Sequence, residues 1–258
     1  MTRESSGRGV TLHEGGLNSY DGFSWFYDTY FALPIIEPLW KFIENKCVRR
    51  LASKELVIDL CCGTGRLANK FLSGGWLSVI CIDLSTDQLA FARCVAPDAT
   101  FSCQDARSFS WHEQANLVVS MCDSLAHMCS TDDLLAVFKS VCRALKPGGL
   151  FIFDLNDDQG VSERRNGPFN IARSDHVATG MSVYNYETRR TNLNVTLFSL
   201  ADERWIRADF AFEQTYYERP LVEKLLRDAG LSLVDCFDTK LDLKFDFELG
   251  RRMYVATR

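Results

Sequence analysis

Between residues 51 and 157, short aliphatic and β-branched runs alternate with segments whose apolar positions recur at helical spacing. That alternation predicts a parallel sheet with crossover helices, an α/β fold. Leu56-Val57-Ile58-Asp59-Leu60 is apolar on both alternating faces and predicts a strand buried on both sides. Cys61-Cys62-Gly63-Thr64-Gly65 turns the chain, and Arg66-Leu67-Ala68 with Phe71-Leu72 predicts a helix that Gly74-Gly75 ends. The next strand, Leu77 to Ile82, runs into Asp83; Ser85 then predicts a helix cap, with Gln88 reaching back to complete a capping box. Strands near Thr100 to Ser102 and over Leu117 to Met121 lead to Asp105 and Asp123. Apolar residues from Leu134 to Leu145 form one helical face, and Lys146-Pro147-Gly148-Gly149 predicts a turn before the strand Leu150 to Asp154. Asp59, Asp83, Asp105, Asp123 and Asp154 thus fall at or near the carboxyl ends of strands. Open parallel sheets bind their ligands at that edge.

Past residue 157 the period shortens. Ser182 to Glu187 and Asn194 to Ser199 alternate as strands with no clear helix between them, which predicts an antiparallel insertion. Pro220 in a first turn, apolar residues to Ala229 on one face, and Gly230 beyond them predict a further helix. Strands near Leu231 to Phe237 and Met253 to Ala256 would extend the sheet. The expected organisation is an N-terminal segment over 1–50, a core over 51–157, the insertion over 158–217, and a helix and strands over 218–258 that complete the core sheet.

Composition narrows the partners. The 258 residues fit one elaborated domain, and 47% hydrophobic residues supply an ample core. Lys and Arg number 29 against 34 Asp and Glu, a formal charge of −5, with no basic stripe to track a phosphate backbone; nucleic acid is therefore not the expected partner. The first twenty residues lack the apolar core of a secretion signal, and no run approaches the roughly 18 apolar residues of a membrane span. The expectation is a cytoplasmic protein without a membrane partner. None of the ten cysteines has Cys-x-x-Cys spacing, so no metal or redox motif is predicted. Cysteines such as Cys81, within an apolar run, read as small hydrophobes in a reducing compartment.

The first two strands carry the candidate chemistry. A tight glycine turn lets backbone approach a ligand, and the following helix offers unpaired amides and a positive dipole end. Asp83, 18 positions after Gly65, could accept both hydroxyls of a ribose. A dinucleotide site would want Gly-x-Gly-x-x-Gly, whereas this turn reads Cys61-x-Gly63-x-Gly65 with Ala68 three places on. No Gly-Lys pair exists for a P-loop. What remains is a ligand with adenosine but no phosphates.

At this point the residues resemble the class I S-adenosylmethionine-dependent methyltransferases. Asp59-Leu60-Cys61-Cys62-Gly63-Thr64-Gly65 is similar to that family's first motif and Asp83-Leu84-Ser85 to its ribose-binding acidic loop. Gln104-Asp105-Ala106 is similar to the segment that reads adenine, and Lys146-Pro147-Gly148-Gly149 to the turn before a late strand. The resemblance implies a Rossmann-like, doubly wound, seven-stranded sheet with an N-terminal helical lid and an antiparallel β insertion. It implies S-adenosyl-L-methionine as cofactor and S-adenosyl-L-homocysteine as product. Gly63 and Gly65 would pass under the methionine moiety and Asp59 would anchor the turn and the amino end. Asp83 would take the ribose hydroxyls, Asp105 the adenine amino group, the Ala106 amide a ring nitrogen, and Leu84 the adenine face. Cys61 stands where the family usually has its first glycine.

A narrower likeness, carried by Phe26-Tyr27-Asp28, Ser120 to Leu125 and Phe212 to Tyr216, is to small-molecule methyltransferases, including those acting on amino groups of nucleotide-linked sugars. It adds Tyr27, Met121 and Asp123 to the expected cofactor contacts and implies a small-molecule acceptor, with a homodimer allowed. Residues 17 to 45, with Tyr20, Trp25, Tyr27, Tyr30 and Trp40, either form an aromatic lid or simply bury against the sheet. His127 is the first candidate for a general base and Tyr216 the second. The rival readings are a non-catalytic S-adenosylmethionine-binding regulatory subunit and a nicotinamide oxidoreductase.

Overall fold

In the structure, a computed structural model describing residues 12–13, 22–157, 167–245 and 250–258, the apolar run at 56–60 becomes the central strand of a seven-stranded sheet. Strands β2 (Leu56–Leu60), β3 (Ser78–Asp83), β4 (Thr100–Cys103), β5 (Ala115–Ser120) and β6 (Leu145–Asn156) run parallel. Beyond β6, β12 (Arg251–Thr257) pairs antiparallel with both β6 and β11 (Ser232–Asp238). The order is β11-β12-β6-β5-β2-β3-β4, so the direction of winding reverses between β2 and β5. A crevice opens at the carboxyl ends of strands at such a reversal.

Period-two alternation explains why β2 is buried along its whole length. Leu56, Ile58 and Leu60 pack in one core with α5 (Thr131–Ala144) and α6 (Arg219–Asp228). Val57 faces the other core, with α2 (Leu33–Phe42) and α3 (Arg66–Ser73). Each such side chain contributes about 1.5–3 kcal/mol by leaving water. Helix α4 (Thr86–Val95) is capped by Ser85, whose Oγ accepts the Gln88 amide at 3.1 Å. The other half of the expected capping box is not made: the Ser85 amide donates to Asp83 Oδ1 instead, at 3.0 Å.

The expected turn at Lys146 to Gly149 is also corrected. These residues belong to β6, which pairs Leu145 with Ala115 and Leu150 with Leu117. The intervening residues bulge outward, with Gly148 at φ 78°. The same composition thus ends one pairing and begins another without leaving the strand.

The insertion forms a second sheet from β7 (Gly167–Ala172), β8 (His176–Asn185), β9 (Arg190–Ala201) and β10 (Arg204–Thr215), joined at its edge by β1 (Leu12–His13) parallel to β10. The N-terminal helical stretch starts as α1 (Ser24–Tyr27), widens into a π-turn (Asp28–Ala32) and continues as α2. Phe23 packs against Phe210 and Phe212 of β10, and Phe26 packs behind it in the same cluster. Trp40 lies edge-on to Phe71 in the core, a packing role rather than a lid role. Tyr20 lies outside the described residues. Among the described residues no helix is long and apolar enough to cross a membrane.

Candidate active site

The glycine turn after β2 brings three backbones into the left-handed region, with φ 58° at Cys61, 52° at Gly63 and 74° at Gly65. At Gly65 a Cβ would sit 2.9 Å from the Cβ of Ala92, so glycine is required both by φ and by the approach of α4. At Gly63 a Cβ would come 3.4 Å from the Tyr27 ring, narrowing the space beneath it. Cys61 carries the left-handed cost of about 1–2 kcal/mol that glycine would avoid. Its thiol, desolvated and beside Asp83, is pushed well above the ordinary range.

Asp83 ends β3 with its carboxylate fixed by two amides, Gly63 to Oδ2 at 2.8 Å and Ser85 to Oδ1 at 3.0 Å. The two amides hold the carboxylate at the cavity edge, where an acceptor suits the hydroxyls of a diol. Asp59, behind the turn, accepts from the Ala68 amide while its Oδ2 has no partner. Burial, aided by the nearby Asp83 charge, pushes its carboxyl up to about 8. Asp59 is 2% exposed and lies beneath the cavity wall rather than in it, where its orphaned carboxyl oxygen suits a ligand that brings a cation to the glycine cradle above, as the amino end of S-adenosylmethionine would.

The cavity over this edge has a volume of about 530 Å³, within the ordinary range for a small-molecule site. On the core side Cys61, Gly63, Asp83, Leu84, Asp105 and Ala106 line it, and Tyr27 joins them from α1. Asp105 is held by Arg107, which donates to Oδ1 and Oδ2 at 3.0 Å; that pairing keeps its carboxyl below the usual range. On the insertion side the wall is Asn192 and Asn194 of β9 with Phe212 and Glu213 of β10. Sequence reasoning placed Gln104, Cys122, Phe212 and Glu213 in motifs without naming them as contacts, and missed Asn192, Asn194 and Gln88 as wall residues. Alternation and cross-strand pairing put Asn192, Asn194, Ala211 and Glu213 on one face and Phe212 on the other, but only tertiary folding brings that edge of the sheet to the core.

His127 ends the 3-10 turn Ser124–His127 and lines the cavity. Its Nδ1 lies 2.9 Å from the Glu213 carbonyl oxygen. A carbonyl only accepts, so Nδ1 donates and the neutral ring keeps its lone pair on Nε2. Burial lowers the imidazole pKa and favours that neutral form.

Other expected residues do not reach the cavity wall. Tyr216 is buried edge-on to Tyr184, and its hydroxyl accepts from Thr191 at 3.0 Å. Met121 packs in the core around α3. Asp123 accepts the Asn156 amide at 3.0 Å, and its own amide donates to Asp154 Oδ2 at 2.9 Å. Arg251 Nε donates to the same oxygen at 2.7 Å. These two strand-end aspartates thus brace the strand ends beneath the site. Gly65 also lies behind the wall, where it sets the contact between α3 and α4. Among the described residues no cluster of His, Cys, Asp and Glu could hold a metal ion.

The N-terminal stretch is tied to both sides of this cavity. Asp28, next to Tyr27, receives Arg66 Nε at 2.8 Å and Nη2 at 2.6 Å; Arg66 is the first residue of α3, directly after the glycine turn. Tyr30 donates to His176 Nε2 at 2.6 Å, and His176 Nδ1 lies 2.8 Å from Asp175 Oδ1.

Known proteins agree with this arrangement. Residues 57–149 match a methyltransferase domain family. YqeM of Bacillus subtilis (strain 168), described as a methyltransferase, is 28% identical over 219 residues, 83% of this chain and 87% of its own length. A dTDP-3-amino-3,4,6-trideoxy-alpha-D-glucopyranose N,N-dimethyltransferase of Streptomyces venezuelae is 33% identical over 98 residues, 38% of this chain and 41% of its own. The crystal structure of an S-adenosylmethionine-dependent methyltransferase from Clostridium acetobutylicum superposes with a TM-score of 0.80 at 25% identity, covering 93% of this chain and 99% of that one. Streptomyces venezuelae DesVI shares the fold, with a TM-score of 0.74 at 21% identity over 94% of this chain and 99% of its own. Fold and matches together define a class I methyltransferase, the class whose methyl donor is S-adenosylmethionine. Residues 57–149 carry the methyltransferase domain.

Proposed function

We propose that this enzyme transfers the methyl group of S-adenosyl-L-methionine to a small-molecule acceptor, an amine held between the core edge and the antiparallel sheet. The cofactor supplies an activated methyl group on a neutral leaving sulfur; the chain's own residues bind, orient and keep water out. Asp83 takes the ribose, the Ala106 amide and Leu84 the adenine, and Asp59 with the Gly63 turn the methionine end. Asp105 reaches the adenine amino group while remaining paired with Arg107. Tyr27, held by the Asp28–Arg66 clamp, closes the cavity from above. Positioning of this kind can contribute roughly 7–11 kcal/mol where near-attack geometry is held.

The observation that carries the reading is His127: an imidazole in the cavity wall, oriented by its Nδ1–H bond to the Glu213 carbonyl, where a base for the proton an amine must lose is needed. A regulatory subunit that only senses the cofactor needs no such base and no second wall. The amino-sugar dimethyltransferase relatives support an amine in particular. Within the N-terminal segment 1–50 the stretch around Tyr27 acts as the lid, and within the insertion 158–217 strands β9 and β10 act as the roof over the core at 51–157, whose sheet β11 and β12 of the 218–258 segment complete. The charge of −5 favours a metabolite acceptor over a polyanionic one such as nucleic acid. Sedimentation velocity would distinguish a monomer from a homodimer.

The test is release of S-adenosylhomocysteine across a panel of amines, hydroxyl compounds and amino sugars, with and without His127→Ala. Turnover on an amine that falls about a hundredfold or more in the variant supports the reading. Turnover confined to hydroxyl acceptors, or unaltered by the substitution, sinks it.

A further inference from the structure

Gln88 is a residue of the cavity wall whose carboxamide the fold leaves unused. It is 2% exposed, lines the cavity, and its Oε1 has no hydrogen-bond partner. A capping box would have spent that side chain on the Ser85 amide, but Asp83 Oδ1 already accepts from that amide. The cap is made by the backbone amide of Gln88 on Ser85 Oγ, so the side chain adds nothing to the start of α4. A buried amide oxygen with no partner is destabilising to the ligand-free chain. Its position suggests what it serves. Oε1 lies 3.8 Å from where a Cβ on Gly63 would sit, and the Gly63 amide donates to Asp83 Oδ2 at 2.8 Å. Gln88 and Asp83 therefore flank a single residue and line the same cavity.

We propose that Gln88 is a cofactor-binding residue, its carboxamide hydrogen-bonding the ribose hydroxyls of the adenosyl group beside Asp83; this rests on the cofactor placement proposed above. The chemistry of a vicinal diol matches the pair. Each hydroxyl donates and accepts, whereas an ionised carboxylate only accepts. Asp83 takes hydroxyl protons, and Gln88 supplies the complementary donor through Nε2 while Oε1 accepts. A second carboxylate at 88 would crowd charge onto Asp59 and Asp83; the neutral amide reads the sugar without doing so.

Calorimetric titration of the full chain with S-adenosylhomocysteine and with 5′-methylthioadenosine tests this, because the second ligand keeps the adenosine and lacks the amino-acid tail. Gln88→Met, equal in length and without the amide, is expected to weaken both ligands by the same factor, about threefold to tenfold. The ligand-free Tm is expected to hold or rise, since an unpartnered polar atom is removed. Gln88→Leu repeats the comparison should the methionine variant fold poorly. Loss for S-adenosylhomocysteine alone would assign Gln88 to the tail and overturn the ribose contact. A fall in Tm with both affinities unchanged would mark a packing residue and overturn the proposal altogether. If the unsubstituted chain binds neither ligand at millimolar concentration, the cofactor placement itself falls.

Discussion

Asp59 and His127 show how burial sets the state of a side chain before any ligand arrives. Asp59 has a folded pKa of about 8, above the ordinary carboxylate value, so its protonated form favours the fold. Its contribution is complete below the unfolded pKa near 4 and is lost as pH rises through 8. Urea melts should therefore weaken steadily between about pH 4 and 8 and level off above that, and Asp59→Asn should remove that decline. Binding a cationic ligand beside Asp59 should restore its charge, so titrations at pH 7 in phosphate and in Tris should differ in apparent enthalpy by the released proton. His127 is displaced downward, and the sign reverses. The unfolded chain takes up its proton first, near pH 6.5, so stability falls as pH drops from there toward the folded pKa. His127→Gln should flatten that acid limb in urea melts at pH 5 to 7. Cys61 was legible as a departure from glycine; its φ of 58° shows that the turn did not change to suit it.

At the scale of elements, the Asp28–Arg66 clamp ties the N-terminal stretch to the start of α3. Asp28 is 4% exposed and its partner Arg66 31% exposed. Removing the arginine strands a nearly buried carboxylate. Arg66→Met should cost about 2–3 kcal/mol in urea melts, below the range for a fully buried pair because Arg66 keeps some water. Asp28→Asn combined with Arg66→Met should recover part of that, since no charge is then left unpaired. The pattern of the sequence showed the core strands and α3 to α6, because each has its own period and its own stop. It did not show the clamp: Asp28 and Arg66 are 38 residues apart, and nothing local distinguishes them from other charged positions.

For the molecule as a whole, two sheets are made to act as one enclosure by the helical stretch between them. Phe23 buries against β10 with Phe26 behind it, and the Tyr30–His176–Asp175 chain joins α1 and its π-turn to β8. The Asp175 carboxylate fixes the proton on Nδ1, so Nε2 accepts from Tyr30. His176→Phe should cut this tie while leaving the core sheet intact. Hydrogen exchange should then rise about tenfold or more over residues 24–47, with the amides of β2 unchanged; equal changes in both would show that the tie supports the core instead.

The sequence by itself determined the parallel sheet, the glycine turn and the acidic residue after it, because strand period, helix period and left-handed φ are local requirements written in neighbouring residues. It also marked His127 as lying just past a strand end. Tertiary structure alone decided which of the five strand-end aspartates face the cavity and which brace it, since that depends on Arg107, Arg251 and Asn156 arriving from distant segments. It likewise decided that Glu213 should orient His127 and that Tyr216 should turn away, because both depend on how β10 docks, a contact that has no period along the chain.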